Sequence, residues 1–88
     1  MTNFKVVISE TAVKQFNKLE KNAQKRIKKG LSFLKNNPFK RRPGADIKKL
    51  KGFSPALYRL RIGKYRIIYA TNKVVKITEI FRRGKGYA

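Results

Sequence analysis

The stretch LYRLRIGKYRIIY, residues 57–69, decides the fold. It contains two runs of β-branched, aliphatic and aromatic residues interleaved with charged ones, and the Gly-Lys pair between the runs is typical of a β-hairpin turn. Successive side chains of a strand point to opposite faces of its sheet. The alternation therefore predicts a hairpin with one apolar and one basic face, and it places Arg59, Arg61 and Arg66 together on the basic face.

Two further strand-like runs lie outside this hairpin, at residues 74–81 and 4–8. The connections that flank the second hairpin run are short, so we expect residues 56–62, 65–70 and 74–81 to form an antiparallel meander. The basic residues that follow the last run are expected to reach the basic face of the sheet.

Apolar side chains recur at helical spacing between residues 10 and 36. They are separated by three or four positions, which is the spacing of one helix face. This stripe comprises Ala12, Phe16, Leu19, Ala23, Ile27, Leu31 and Leu34. Ser9 and Asn22 are candidate N-caps, since their side chains can accept a hydrogen bond from a first-turn N–H. We predict two helices, at residues 10–20 and 23–36, packed as a hairpin and ended by Pro38.

The segment 36–55 has the composition of a loop. It holds all three prolines, two glycines and a basic run at residues 40–42, with a candidate short extended piece at residues 47–50. The element order β-α-α-β-β-β predicts an α+β fold, in which an antiparallel sheet carries the N-terminal helical hairpin on one face and leaves the other partly open. The length of 88 residues predicts a single domain over residues 1–88.

The chain is strongly basic. Lys and Arg number 24 against 4 acids, which gives a formal charge of +20. An excess of this size favours a polyanionic partner such as nucleic acid, although a basic surface that only aids solubility is the competing interpretation. Cysteine and histidine are absent, which excludes disulfides, thiolate chemistry and the commonest metal ligands, so we predict no metal site and no cofactor. No signal peptide or membrane-spanning run is recognisable, so we expect a cytoplasmic protein without a membrane partner.

Arginine on the basic face is well suited to phosphate, because a guanidinium group can donate two parallel hydrogen bonds to it. Charged residues on exposed strands can also serve only to prevent edge pairing, and that interpretation stays open. Three of the tyrosines, Tyr58, Tyr65 and Tyr69, are expected at the core or its edge. Tyr87, near the end of the chain, is the tyrosine that we do not expect in the core.

Four pieces of the chain carry a family resemblance. They are the N-terminal strand with its helical hairpin, LKG at residues 50–52, the opening stretch, and KITEIFRRGKGY at residues 76–87. With these pieces the chain resembles the RelE/ParE superfamily of toxins from type II toxin–antitoxin systems, and its RelE branch most of all. The resemblance spans essentially the whole chain.

The resemblance implies a ribosome-dependent endoribonuclease that cleaves mRNA in the A site by attack of a 2′-OH on the adjacent phosphate, without a metal. At the matching positions it implies catalytic roles for Arg59, Arg61, Arg66, Arg83 and Tyr87. The accompanying RNA-binding residues are predicted to be Lys51, Lys64, Arg82 and Lys85. Bacterial members often carry lysine where this chain has Arg59 and Arg61. Because arginine stays protonated, these two are expected to stabilise developing negative charge rather than to act as bases.

The same resemblance implies the partners. They are a RelB-like antitoxin that wraps the toxin, the ribosome with its mRNA, and operator DNA that the toxin–antitoxin complex binds. Two other functions remain open at this point. A ParE-like inhibitor of DNA gyrase shares the fold and the hairpin pattern, and a non-catalytic nucleic-acid-binding domain would need only the charge.

Overall fold

The protein is built on a five-stranded sheet with two helices on one face. The computed structural model describes residues 4–83 and gives the elements β1 (Lys5–Ile8), α1 (Glu10–Asn17), α2 (Lys21–Asn36), β2 (Asp46–Leu50), β3 (Leu57–Ile62), β4 (Tyr65–Thr71) and β5 (Val74–Arg82). The strand order is β1-β5-β4-β3-β2. The predicted α+β fold, with the helical hairpin on one face of a meander, is confirmed.

The sheet has one more strand than the predicted order contains. β2 covers the candidate extended piece at residues 47–50 and pairs with β3 in antiparallel register, with Ile47 opposite Leu60. Both of these side chains are buried, so the edge strand contributes to the core. The sheet is also mixed, because β1 runs parallel to β5 while all other pairs are antiparallel. A parallel pair requires a crossover connection, and the helices and the rest of the meander provide it.

The two helices start differently, because a side chain caps the first helix but not the second. Ser9 caps α1 as predicted: its Oγ accepts from Ala12 N at 3.1 Å and donates to Thr78 O at 2.9 Å, which fixes the helix start to β5. The predicted cap at Asn22 is wrong. α2 begins at Lys21, and its N-cap residue Glu20 makes no side-chain capping bond.

The core lies between the helices and one face of the sheet. The predicted helical stripe is confirmed. Four of its residues are buried and the other three pack against the core; the buried ones are Ala12, Ala23, Ile27 and Leu34. α2 approaches β3 closely at Gly30, where a Cβ would collide with the side chain of Ile62 and lie 3.4 Å from Leu60 Cδ2. Tyr69 is fully buried and its hydroxyl donates to Pro38 O at 2.6 Å, so its predicted place in the core is confirmed.

One residue of the basic run 40–42 is structural. The guanidinium of Arg42 donates to the carbonyl oxygens of Phe33 at 2.7 Å, Asn37 at 3.0 Å and Lys40 at 2.6 Å, and it lies 5.5 Å from the centre of the Phe33 ring. Phe33 lies in the last turn of α2 and Asn37 and Lys40 follow the helix, so this arginine ties the segment after α2 to the end of the helix. Within residues 4–83, no helix is long and apolar enough to cross a membrane.

Candidate functional site

The face of the sheet that the helices leave uncovered, called the open face below, carries two rows of side chains across the strands. The strand register aligns the first row as Asp46, Arg61, Arg66 and Phe81, and the second as Lys48, Arg59, Ile68 and Glu79. The structure thus brings together the three arginines that the alternation of the opening stretch predicts on one face. Arg61 and Arg66 are direct cross-strand neighbours, a like-charged arrangement that destabilises a sheet unless an anion is near.

Asp46 is that anion. Its Oδ2 lies 2.7 Å from Arg61 Nη2, and its Oδ1 lies 3.3 Å from Arg59 Nη2 and 3.4 Å from Arg41 Nε. The Asp46 side chain is only 22% exposed, so these contacts are shielded from solvent more than ordinary surface ion pairs are. One carboxylate therefore orients two of the predicted catalytic arginines.

Asp46 is a site residue that was not predicted from the sequence. The candidate extended piece in this segment begins at residue 47, which leaves Asp46 in the preceding loop. The signal that could have found it is the alternation of DIKKL, residues 46–50, in which Ile47 is apolar and both its neighbours are charged. Pairing this piece with the first hairpin strand puts an acid beside the basic face.

Arg66 lies where positive charge accumulates. Desolvation lowers the pKa of its guanidinium below the ordinary value, and the positive charges of Arg59, Arg61 and Arg83 lower it further. The charge of Asp46 acts in the opposite direction and is the weakest of these influences. The guanidinium also donates to the carbonyls of Gly63 and Tyr65, both at 3.3 Å. The cluster thus keeps a net positive charge after Asp46 is counted, which is the electrostatic requirement for holding a phosphate.

Arg59 has a donor left over. Its Nε is buried and makes no hydrogen bond with any residue in the described part of the chain, while its Nη2 contacts Asp46. A buried donor without an acceptor costs free energy and is uncommon in folded proteins. An anion that draws the side chain outward would remove this cost.

Arg83 and Arg82 separate although they are adjacent in sequence. Arg83 lines a cavity on the open face together with Arg59, Arg66 and the predicted RNA-binding residue Lys51, and its backbone N donates to Lys64 O at 2.6 Å. Arg82 pairs with Tyr65 and lines a different depression, beside the turn between the helices. Lys64 lines this second depression as well. Tyr87 and Lys85 lie outside the described residues.

The three tyrosines within residues 4–83, Tyr58, Tyr65 and Tyr69, do not face the candidate site. Tyr58 stacks on Tyr69 with ring centres 5.6 Å apart, and Phe39 meets Tyr58 edge-on at 5.7 Å, all on the helix-covered side of the sheet. Tyr65 also packs against the core. The expected place of these tyrosines at the core or its edge is confirmed, and the aromatic side chains that line the open-face cavity are Phe53 and Phe81 instead. Among residues 4–83, no three acidic side chains come together as metal ligands would.

Comparison with known proteins finds a matching family model, a relative of known name and solved structures of the same fold. The family model described as the ParE toxin of the type II toxin–antitoxin system parDE matches residues 6–87. A relative from Methanocaldococcus jannaschii that carries the toxin name RelE1 is 36% identical over 87 residues, which cover 96% of this chain and 94% of the relative.

Two solved structures resemble the fold in full. One is a chain of the archaeal RelE–RelB complex from Pyrococcus horikoshii, 34% identical, with a TM-score of 0.81 over 97% of this chain and 100% of that chain. The other is a chain of the RelB–RelE antitoxin–toxin complex from Methanococcus jannaschii, 27% identical, with a TM-score of 0.77 over 93% of this chain and 98% of that chain.

Proposed function

The chain belongs to the RelE/ParE superfamily of toxins from type II toxin–antitoxin systems, and from that premise we propose that it is a ribosome-dependent endoribonuclease. It cleaves mRNA in the A site and thereby inhibits translation. The observation that carries this proposal is the arginine cluster of the open face, in which Arg59, Arg61 and Arg66 adjoin one another and Arg83 lines the open-face cavity with Arg59 and Arg66.

The cluster suits a transesterification at phosphorus. The RNA 2′-oxygen forms a bond to the adjacent phosphorus, the bond from phosphorus to the 5′-oxygen breaks, and the proton lost by the 2′-OH is balanced by one gained at the 5′-oxygen. The products are a 2′,3′-cyclic phosphate and a 5′-OH, and no water is consumed. The phosphorane in between carries additional negative charge, which preorganised guanidinium groups stabilise.

Each arginine has a distinct part in this mechanism. Arg61 and Arg59 are held by Asp46 and contact the phosphate from one side. Desolvation and the cationic neighbours destabilise the protonated form of Arg66, so this residue gains most when a dianionic phosphorane forms beside it. Arg83 contributes from the end of β5, and Tyr87, in the segment that follows, stacks on a base or assists the 2′-OH.

Dependence on the ribosome follows from what the site lacks. The chain has no histidine, and its arginines remain protonated, so proton transfer at the site is poor. Positioning an RNA strand so that its 2′-OH lies in line with the breaking bond can contribute several kcal/mol, roughly 7–11 in well-oriented systems. The ribosome supplies this alignment for the codon in its A site.

We also propose a RelB-like antitoxin as the partner that keeps the toxin silent. The support is that two of the solved relatives are complexes of RelE with RelB. Against a toxin of charge +20, the antitoxin is acidic in its binding segment and wraps the toxin as an extended, partly helical chain. The complex of toxin and antitoxin, and not the toxin alone, is the form that binds operator DNA.

Primer extension on an mRNA in a cell-free translation reaction tests the proposal. Cuts within codons that require both the protein and ribosomes support it. Intact mRNA, or equal cutting of naked mRNA, contradicts ribosome-dependent cleavage.

A second function has one observation in its favour. The family model that matches the chain is named for ParE, so inhibition of DNA gyrase is the alternative. A DNA supercoiling assay with purified gyrase separates the two functions, because a mechanism based on mRNA leaves supercoiling unchanged.

A further inference from the structure

The open-face cavity has an apolar part that phosphate binding does not explain. Its volume is about 700 Å³, within the range of small-ligand pockets, and its apolar lining includes Leu50, Leu57 and Ile68. The side chain of Phe53, in the loop between β2 and β3, lines it and is 54% exposed. Phe53 does not belong to the hydrophobic core, so burial in the core does not account for its position.

Cations line the cavity at several places around this apolar part. Arg59 and Arg66 lie on the side of the arginine cluster, and Lys48 and Lys51 lie along β2 and the loop that follows it. Glu79 is the one acid among the lining residues, and β5 carries it. The cavity thus combines a flat apolar surface with adjacent cations. A nucleotide has the complementary division, since its base is planar and stacks on aromatic rings while its phosphate is anionic.

We propose that this cavity binds one unstacked nucleotide of RNA, with the base against Phe53 and the phosphate on the guanidinium groups of Arg59 and Arg66. The identity of the RNA as mRNA rests on the proposed function. The base site goes beyond the proposed function, because it assigns a binding role to Phe53, which lies in the loop between β2 and β3 and outside the arginine cluster.

The mixed lining favours a nucleotide over a segment of a protein partner. An amphipathic helix in a groove needs a row of apolar anchors that extends over several turns. Here five apolar residues line the cavity beside five cations, so charge interrupts the apolar surface. One base can lie against this surface while the adjacent guanidinium groups bind the phosphate of the same nucleotide bidentately.

A fluorescent variant tests the base site without relying on cleavage. The chain contains no tryptophan, so Phe53→Trp introduces a single indole reporter in the cavity. The probe is a short 2′-O-methyl RNA, which cannot react because its 2′-oxygens are blocked, together with a series in which each nucleotide in turn is abasic. We expect the intact RNA to quench the indole and one abasic position to weaken the apparent affinity about tenfold, the effect of losing one base–aromatic stack. Equal quenching by every abasic RNA would overturn the proposal.

Cleavage provides the second readout. Phe53→Ala should lower kcat/KM for ribosome-bound mRNA about tenfold or more, whereas Phe53→Tyr, which keeps the ring, should stay within about twofold of the wild type. Phe39→Ala is the matched control, because Phe39 is 48% exposed but contacts Tyr58 on the helix-covered side. Its kcat/KM should equal that of the wild type at a temperature where circular dichroism shows all variants folded.

The outcomes separate this site from the proposed function. If the wild type cleaves mRNA and Phe53→Ala cleaves equally well, the base site is wrong and the nuclease stands. If Phe53→Ala weakens only the binding of an antitoxin, the cavity belongs to a peptide and the base site is again wrong. Base-dependent quenching by a protein that never cleaves mRNA would support the base site and contradict the nuclease.

Discussion

Asp46 and Arg61 face each other across the β2–β3 pair, and their side chains meet at 2.7 Å between Oδ2 and Nη2. The same carboxylate lies 3.3 Å from Arg59, so one acid holds two neighbouring guanidinium groups in place. The protein's own anion thus occupies part of the cationic cluster that we assign to the phosphate.

Neutralising this acid should destabilise the fold. Asp46→Asn leaves Arg59 and Arg61 without a counter-charge in a half-buried site, and we expect a loss of about 1–3 kcal/mol in the free energy of unfolding. Thermal denaturation measures it. The control is Glu10→Gln, which removes an acid paired with Lys14 at 3.4 Å on a highly exposed helix surface and should change stability very little.

Sulfate adds a sharper criterion to that comparison. An anion that binds the folded protein beside the guanidinium groups left without a counter-charge stabilises it by mass action, so sulfate should raise the melting temperature of Asp46→Asn more than that of the wild type or of Glu10→Gln. An equal response of all three proteins would contradict the role of Asp46 as the counter-ion of the cluster.

Arg66 should be needed for cleavage and dispensable for folding. Arg66→Ala removes a group that stabilises the phosphorane, and the loss of one such donor costs roughly 10²–10³ in rate. It also relieves repulsion from Arg59, Arg61 and Arg83, which offsets the loss of the two long hydrogen bonds to the carbonyls of Gly63 and Tyr65, so the melting temperature should stay unchanged or rise. Lys73→Ala, which removes one positive charge from the turn between β4 and β5, is the control and should keep full activity. A lower melting temperature for Arg66→Ala would show that the arginine serves the fold instead.

The adjacent arginines at the end of β5 should behave differently. Arg83 lines the open-face cavity, whereas Arg82 lies in the depression beside the helix turn. Arg83→Ala should therefore reduce ribosome-dependent cleavage at least about tenfold more than Arg82→Ala, which removes the same charge. Primer extension with matched protein concentrations gives the ratio. Similar losses in both variants would mean that only the charge of this end of the chain matters.

Tyr69 should make stability depend on pH in the alkaline range. Burial, and secondarily Tyr58, raises the pKa of its phenol above the ordinary value, and the hydroxyl donates to Pro38 O. From about pH 10, where the unfolded chain begins to release this proton, the folded state binds more protons, so stability falls as the pH rises. We expect Tyr69→Phe to be less stable than the wild type by about 1–2 kcal/mol at neutral pH. The difference should shrink above about pH 10. Melting curves of both proteins across this range check it, and a constant difference would contradict it.

The parts of the fold that depend on local pattern could be predicted from the sequence. The alternation in residues 57–69 was sufficient to place Arg59, Arg61 and Arg66 on one face, because a strand's period of two leaves no other arrangement. The Ser9 cap was predictable for a similar reason, since its hydroxyl acts on a backbone N–H three residues away.

The parts that depend on distant contacts could be predicted only in part, since an extended piece at residues 47–50 was recognisable but its pairing with β3 was not. β2 lies in a segment rich in proline and glycine, and its strand character comes from pairing with β3. Without that pairing Asp46 is an isolated acid. The predicted start of α2 was also wrong. Gln24 N donates to Glu20 O at 3.0 Å and the Gln24 side chain donates to Phe16 O at 3.0 Å, so the helix begins before Asn22. The roles of the arginines and of Tyr87 remain predictions.

An mRNA with a single 2′-deoxynucleotide on the 5′ side of the cut gives the most direct test of the proposed chemistry. The arginine cluster stabilises attack by a 2′-oxygen, so ribosomes programmed with this mRNA should leave it intact at that position, while the unmodified mRNA is cut to a 2′,3′-cyclic phosphate and a 5′-OH. Cleavage of the deoxy-substituted mRNA at the same bond would contradict the mechanism.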